Sequence, residues 1–218
     1  LMRHKGMRKD EAMKKAISLL NDVGIPNPEQ RVKEYPHQFS GGMQQRAMIA
    51  MAMSCQPELL IADEPTTALD VTVQAQVLEQ LNKLRWENDT ALIIITHNLG
   101  VVARYADTVK IMYGGKIVEE GDTFEIFRNP HHPYTLGLLR AVPRLDLTRS
   151  HGLHTIEGEP PNMAKVPPNC CAFHYRCKYA TEECRCQRPE LADVAGGHRC
   201  ACFHMEETAA EREEVCVR

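Results

Sequence analysis

A serine followed by two glycines, Ser40, Gly41 and Gly42, stands directly before a segment with helical character, Met43 to Cys55. The first backbone N–H groups of a helix have no partner inside the helix, so such an end attracts anions, and phosphate above all. An ordinary turn with a capped helix uses the same residues. On their own, the three residues therefore predict either a helix cap or a phosphate site.

An apolar segment at residues 59–62 ends in two adjacent carboxylates, Asp63 and Glu64. Open α/β sheets bind their ligands beyond the carboxyl ends of the strands, so a strand here would place both carboxylates at a ligand site. There, Asp63 would suit a magnesium ion and Glu64 a water molecule. A strand end that only solvates its carboxylates is the alternative reading of this pair by itself.

The combination of these features within residues 39–70 is more specific than either feature alone, and it resembles the ATP-binding cassette (ABC) ATPases. Residues 40–44 match the signature motif of that family, residues 59–63 the Walker B strand, and residues 68–70 the D-loop. A second apolar strand, Ala91 to Thr96, is followed by His97, which matches the switch histidine.

This resemblance implies a role for each matching residue. Asp63 would hold Mg²⁺ through water, Glu64 would polarise the attacking water, and His97 would contact the γ-phosphate of ATP. Asp70 would cross a dimer interface, and the signature would bind nucleotide through Ser40, Gly41, Gly42 and Gln44. Phosphoryl transfer requires mainly that groups be positioned and charge be offset, so these residue types fit the reaction. An isolated histidine at a strand end would more often be a capping residue.

The phosphate-binding pattern G-x-x-x-x-G-K-[ST] does not occur in the sequence, where the Gly-Lys pair Gly115-Lys116 is followed by Ile117. The ABC family carries that loop upstream of its helical subdomain, so we expect this sequence, which begins at Leu1, to be the C-terminal portion of a longer protein. The loop supplies most of the triphosphate binding. We therefore expect this chain alone not to hydrolyse ATP, although its signature could complete the site of a partner subunit.

The composition is that of an ordinary soluble globular protein, since 43% of its 218 residues are hydrophobic and 25% are charged. The formal net charge of -3 gives no electrostatic reason to expect nucleic acid as a partner. No run approaches the roughly 20 apolar residues of a membrane span, and the basic N-terminus lacks the apolar part of a secretory signal. These features predict a cytosolic protein, whose nine cysteines are thiols or metal ligands rather than disulfides.

Helical and strand patterns alternate along the chain and predict an α/β fold. With the resemblance, the fold class is a partial P-loop NTPase (ABC ATPase) core with a helical subdomain and a cysteine-rich C-terminal extension. The predicted domains are a helical subdomain with the signature at 1–55, the C-terminal part of the ATPase core at 56–128, the extension at 129–204, and a flexible tail at 205–218. A hairpin with a glycine turn is expected at residues 108–120.

The motif Asn129-Pro130-His131-His132-Pro133-Tyr134-Thr135 resembles the start of the C-terminal extension in oligopeptide, dipeptide and nickel import ATPases. The signature and the residues around the D-loop resemble the first of the two paired ATPases of those importers. For the two histidines, turn chemistry before a proline is favoured over metal binding.

Eight of the nine cysteines lie between residue 170 and the C-terminus. Cys171, Cys177, Cys184 and Cys202 resemble the four-cysteine pattern that holds a [4Fe-4S] cluster in many members of this family, and four thiolates are what such a cluster needs. A zinc site and a set of free thiols are the alternatives. Cys170, Cys186 and Cys200 depart from the family pattern and leave the ligand register open by one or two positions.

The leading hypothesis is an ATP-binding subunit of an importer for peptides or nickel, with ATP, Mg²⁺ and a [4Fe-4S] cluster as cofactors. Its expected partners are a second ABC ATPase subunit, two transmembrane permease subunits and, indirectly, an extracytoplasmic solute-binding protein, at the cytoplasmic face of the membrane. One alternative is an ABC-type ATPase of DNA maintenance. The negative net charge and the motif at residues 129–135 are evidence against it. Another is a non-catalytic metal-binding or interaction module.

Overall fold

The computed structural model describes residues 1–67, 69–143, 154–162, 166–209 and 211–212, which belong to two compact units, Leu1–His97 and Asn98–Arg218. The elements of the first unit are α1 (Met2–Lys5), α2 (Lys9–Asp22), α3 (Pro28–Arg31), α4 (Gly41–Met53), β1 (Leu59–Asp63), α5 (Val71–Glu87) and β2 (Ala91–Ile95). Those of the second unit are α6 (Leu99–Tyr105), β3 (Thr108–Tyr113), β4 (Lys116–Asp122), α7 (Thr123–Arg128), α8 (Pro133–Arg140), α9 (Glu182–Cys186), β5 (Ala192–Ala195) and β6 (His198–Cys200).

A β-α-β segment forms the centre of the first unit. Strands β1 and β2 pair in parallel, from Leu59 with Ala91 to Asp63 with Ile95, and α5 connects them. Helices α2, α4 and α5 pack together through buried apolar side chains, namely Val23, Ile25, Ile49, Ala50, Met53, Val77, Leu81 and Leu84. The α/β fold predicted from the sequence is confirmed.

The two-stranded sheet has one face that is largely open to solvent. Alternate side chains of the two strands remain 47–59% exposed, namely Leu59, Ile61, Ile93 and Ile95. Their neighbours Leu60, Ala62 and Leu92 instead pack against the helices. Because side chains alternate along a strand, the helices cover one face of this sheet.

An antiparallel sheet of four strands, in the order β3-β4-β6-β5, organises the second unit. The predicted hairpin is confirmed as β3 and β4, joined by Gly114 and Gly115 with φ of 58° and 73°. Strand β6 then pairs with β4, Glu119 with Cys200 and Glu120 with Arg199. The predicted extension thus shares a sheet with residues 108–122, and the predicted division at residue 128 falls inside one compact unit. The other domain limits remain predictions.

An aromatic cluster fills the space beside this sheet. Tyr113 meets Tyr134 and Phe173 edge to face, with ring centroids 4.7 and 5.1 Å apart. Buried Val109, Ile111, Val118 and Ile126 complete the cluster. Because Tyr134 and Phe173 come from the predicted extension, this core fixes the extension to the hairpin.

The predicted flexible tail, 205–218, is described at residues 205–209 and 211–212 only, and the rest lies outside the described residues. In the described part Thr208 is fully buried, and Glu211 forms ion pairs with Arg140 and Lys178. These residues therefore pack on the second unit. Among all described residues, no helix is both long enough and apolar enough to cross a lipid bilayer.

The contact between α4 and α5 depends on a glycine. A Cβ built on Gly42 would lie 2.7 Å from Cγ1 of Val73, whereas one on Gly41 would lie 3.6 Å from Cδ2 of Leu69. We expect Gly42→Ala to lower the free energy of unfolding by about 1–3 kcal/mol, because the added methyl group forces the helices apart. Urea unfolding of the chain measures this effect.

Gly41→Ala is the matched control, since its Cβ meets only ordinary van der Waals contact. Adding Val73→Ala to Gly42→Ala should recover part of the loss, because it removes the clashing methyl group. Equal stability of the two alanine variants would show that Gly42 has no packing role.

Candidate functional site

Glu64 and His97, predicted to act on the nucleotide, are brought together at the carboxyl ends of β1 and β2. Their parallel register aligns Asp63 with Ile95, so the residues that follow each strand emerge side by side. His97 Nδ1 lies 2.8 Å from Glu64 Oε1, and the His97 backbone N–H donates to the same oxygen over 3.2 Å. The hydroxyl of Thr67 donates to Oε2 over 3.0 Å. Thr67 was not among the predicted site residues.

The backbone of Glu64 has an unusual conformation that aims its side chain at His97. Its φ is 46°, in the left-handed region that non-glycine residues seldom adopt, and its N–H donates to Ile95 O over 2.9 Å. Backbone strain of this kind is concentrated at active sites and ligand-binding sites, where the surrounding structure holds a side chain in one position. The hydrogen bond from the Glu64 N–H to Ile95 O therefore connects the turn after β1 directly to the end of β2.

The charge state of Glu64 suits a group that orients water. The hydrogen bond from His97 is the main cause of a lowered pKa of Glu64, and the one from Thr67 acts in the same direction. The carboxylate is therefore ionised at neutral pH. The His97 side chain is 81% exposed and that of Glu64 37%, so water has access to both. Asp63 is exposed at the end of β1, one residue before.

The second predicted group, the signature, lies at the start of α4. Exposed Ser40 is the N-cap of α4, and its hydroxyl accepts a hydrogen bond from the Met43 N–H over 3.4 Å. Asp70 caps α5 in the same way, since Oδ1 accepts from the Val73 N–H over 3.0 Å. Because Gly42 contacts Val73, the N-termini of α4 and α5 lie next to each other. Of the predicted D-loop, Ala68 lies outside the described residues.

Gln44 holds the loop before the signature. Its side-chain amide donates to the carbonyl oxygens of Pro36 and Phe39 over 2.9 and 3.2 Å. These contacts fix the approach of the chain to Ser40, so in this structure the NH₂ group of Gln44 positions the helix start. The role implied for Gln44 in nucleotide binding remains a prediction.

The four cysteines predicted as cluster ligands approach one another in the second unit. The Cys171 N–H donates to Cys184 O over 2.9 Å. Burial raises the pKa of Cys177 to about 11 and that of Cys202 to about 12, and in both cases the neighbouring thiols add to the rise. The thiols of Cys177, Cys171 and Cys184 each contribute to the raised pKa of Cys202, as thiols in its neighbourhood would.

A backbone N–H group points at one of these sulfurs, since the His204 N–H donates to Cys202 Sγ over 3.3 Å. Such bonds stabilise thiolates and tune metal centres built on them. Within the described part of the chain, no group of three or more His, Cys, Asp or Glu is placed to hold a metal ion. The cluster site predicted from the sequence therefore remains a prediction.

The extra cysteines also make contacts of their own. Cys170 Sγ donates to Pro167 O over 3.2 Å, exposed Cys186 bonds Glu182, and Cys200 is completely buried, where burial raises the pKa of its thiol. Cys216 lies outside the described residues. The register of the four ligands remains a prediction.

A buried carboxylate that sequence reasoning missed, Glu119, joins the motif at residues 129–135 to the sheet. Its oxygens accept the N–H groups of His131 and His132 over 2.5 and 3.1 Å, and His198 Nε2 lies 2.8 Å away. Burial raises the pKa of Glu119, but these hydrogen bonds outweigh it, and the pKa lies below its ordinary value. The only sequence signal was a pair of glutamates that directly follows two apolar residues, Ile117 and Val118.

The predicted turn chemistry is observed for His132. His132 is the N-cap of α8, and its Nδ1 accepts the Tyr134 N–H over 3.0 Å. Its ring is 1% exposed, and burial lowers its pKa to about 4. A neutral ring that accepts a backbone hydrogen bond serves the helix start rather than a metal.

Two family models match the sequence. Residues 1–67 match the ABC transporter model, and residues 118–184 match that of the oligopeptide/dipeptide transporter C-terminal region. A solved ATP-binding cassette in a dimeric post-hydrolysis state bound to ADP and Pi is 28% identical over 55% of this chain and 50% of that chain. Its TM-score of 0.48 is too low to bear on the geometry of the site.

Several curated relatives match nearly the whole chain. A putative peptide import ATP-binding protein of Brucella melitensis is 51% identical over 95% of this chain and 62% of its own length. The oligopeptide transport ATP-binding protein of Salmonella typhimurium is 52% identical over 93% and 60%, and the dipeptide transport ATP-binding protein of Bacillus subtilis 49% over 96% and 62%. The chain thus spans about three fifths of the length of these relatives.

The buried ring of His132 predicts a pH-dependent stability. Its pKa is about 4 in the folded chain against 6.5 for a free side chain, so the unfolded chain takes up the proton first as the pH falls. The stabilisation is complete above pH 6.5 and is lost towards pH 4. Over this window the free energy of unfolding should fall by about 3 kcal/mol on account of this ring.

His132→Asn keeps an acceptor for the helix cap but removes the titrating group. Urea unfolding between pH 7 and pH 4 should show a flatter dependence for this variant, on top of a loss at all pH values from the smaller side chain. Exposed His154 supplies the control, His154→Asn. An unchanged pH dependence in His132→Asn would refute the assignment.

Proposed function

Since the chain belongs to the ATP-binding subunits of the oligopeptide/dipeptide importers within the ABC transporter family, we propose that it provides the signature and Walker B parts of an ATPase that drives peptide uptake. The observation that carries this proposal is the contact of Glu64 with His97 at the ends of two parallel strands. The names of the relatives, which are peptide, oligopeptide and dipeptide transport proteins, favour peptides over nickel as the solute.

The residues present fit ATP and Mg²⁺. Asp63, exposed at the end of β1, would hold the magnesium ion, which would offset the charge of the phosphates. Ionised Glu64 would accept a proton or hydrogen bond from the attacking water, and exposed His97, which holds Glu64 in place, would contact the γ-phosphate. A positioned and ionised base of this kind contributes without rearrangement during the reaction.

The signature would act on the nucleotide of a second ATPase subunit. The exposed N-terminus of α4, with Ser40, Gly41 and Gly42, offers backbone N–H groups to phosphate. Asp70, which lies beside it at the start of α5, would contact the partner subunit, and Gln44 would keep the loop before Ser40 in place. The chain would act at the cytoplasmic face of the membrane. Its movement would drive two transmembrane permease subunits, which receive the solute from an extracytoplasmic binding protein.

We also propose that Cys171, Cys177, Cys184 and Cys202 bind a [4Fe-4S] cluster. The four thiols influence one another's pKa values and the His204 N–H donates to Cys202 Sγ, and both observations support it. Four thiolates are the ligand set that such a cluster needs. The cluster would link the loop at 171–177, helix α9 and the chain after β6.

Replacement of Glu64 tests the ATPase. Because the sequence carries no G-x-x-x-x-G-K-[ST], turnover is measured in a chimaera in which this chain replaces the matching 203 residues of the Salmonella typhimurium protein. Glu64→Gln should retain nucleotide binding and lower the turnover number about 100-fold or more, because the amide does not take a proton from water.

Glu58→Gln is the control, since Glu58 is exposed just before β1. Equal turnover of the Glu64 and Glu58 variants would remove Glu64 from the mechanism. Failure of the unaltered chimaera to support peptide uptake in cells that lack the replaced protein would contradict the transport function.

Metal content tests the cysteine centre. Chain purified without oxygen should contain iron and absorb broadly near about 400 nm. Cys177→Ser should lose most of this iron, and Cys186→Ser should retain it, because Cys186 is exposed and bonds Glu182 instead. A colourless protein that binds zinc, or equal loss in both variants, would defeat the proposal.

A further inference from the structure

We propose that residues 204–209 and 211–212 form a C-terminal clasp that positions the cysteine loops for their metal, with Glu211 as its central positioning residue. This inference rests on the cysteine centre proposed above. It assigns a role to a segment that the sequence predicted to be a flexible tail.

The Glu211 carboxylate contacts three side chains from two parts of the second unit. Its carboxylate forms hydrogen bonds with Lys178 and with the hydroxyl of Tyr179, and an ion pair with Arg140 of α8. Arg140 also donates to the backbone carbonyl of Glu211 over 3.2 Å. Burial raises the pKa of Glu211, but Lys178, Tyr179 and Arg140 bring it down to about 2, so the carboxylate is ionised across the working pH range.

The contacts of Glu211 lead directly to a ligand. Lys178 and Tyr179 are the two residues that follow Cys177 in the chain. Holding both side chains therefore restrains the backbone next to the Cys177 sulfur.

The first residue of the clasp, His204, lies next to two other predicted ligands, Cys202 and Cys184. The N–H of His204 donates to Cys202 Sγ, and its Nε2 lies 3.0 Å from the hydroxyl of Thr181. That hydroxyl lies 3.6 Å from Cys184 Sγ. Glu207 Oε1 lies 3.0 Å from His204 Nδ1 and so fixes the ring from the other side. One short segment thus contacts the surroundings of three of the four ligands.

The clasp is anchored on the motif that begins the extension. Thr208 is fully buried, and its hydroxyl donates to His131 O over 3.2 Å. Arg212 donates to the side chain of Asn129 over 3.1 Å and to the Thr208 hydroxyl. Residues 129–131 therefore hold the segment that in turn holds the cysteine loops. This connects the two most distinctive parts of the extension, which are about 40 residues or more apart in sequence.

A thiol-labelling experiment on the metal-free chain tests the clasp without reference to iron. Glu211→Gln keeps the shape of the side chain but removes its charge, and Tyr179→Phe removes only one hydroxyl. Both should raise the rate of iodoacetamide alkylation at Cys177, about tenfold for Glu211→Gln, because the loop opens more often. Mass spectrometry measures the rate, with Cys55 of the first unit as internal reference, and circular dichroism confirms the fold.

Glu206→Gln is the matched control, since Glu206 is an exposed glutamate in the same segment. In iron-loaded chain, Glu211→Gln should also lose iron to a chelator faster than Glu206→Gln, because the loop that carries Cys177 is held less firmly. Alkylation of Cys177 at equal rates in the two glutamate variants would overturn the clasp, as would equal rates of iron loss. If the wild-type chain binds no iron while Glu211→Gln still raises the alkylation rate, the cluster is refuted and the clasp stands.

Discussion

The parallel register of β1 and β2 is the constraint on which the candidate nucleotide site depends. It aligns Asp63 with Ile95. Glu64, directly after β1, and His97, two residues after β2, then meet at 2.8 Å although 33 positions separate them. The bond from the Glu64 N–H to Ile95 O continues the pairing one step past the strand, with the backbone of Glu64 in the left-handed region. A slip of one residue would turn these side chains to opposite faces. The helices α2, α4 and α5 matter to the site chiefly because they cover one face of the pair and keep its register.

The second unit has a different organising centre, the buried carboxylate of Glu119. A charge without water requires several donors, and here they come from His131, His132 and His198. Two of these are backbone groups of the motif that begins the extension, and the third lies on β6, which pairs with β4. Two backbone N–H groups of the motif therefore serve as hydrogen-bond donors to this one buried glutamate.

Local patterns predicted much of this fold because the elements follow from short-range chemistry. The periodicity of α5, the apolar runs of β1 and β2 and the glycine turn between β3 and β4 are all visible in the printed residues. The meeting of Glu64 with His97 was also predictable, since parallel strands end at one edge. The sequence did not reveal what Glu119 and Glu211 do, because their partners lie far along the chain and follow from tertiary packing. A charged segment such as 205–212 looks solvated until the arginines, lysines and histidines around it are placed in space.

Two glutamate–histidine pairs in this chain have the same separation of 2.8 Å and opposite surroundings. Glu119 is completely buried, with its oxygens filled by backbone N–H groups and His198, so neither water nor a substrate can approach it. Glu64 is more than one third exposed, and His97 is mostly exposed. Both carboxylates are held ionised by their hydrogen bonds. The saturated pair can therefore only join elements together. The open pair retains lone pairs for a water molecule, and this difference is why the proposed catalytic role falls to Glu64.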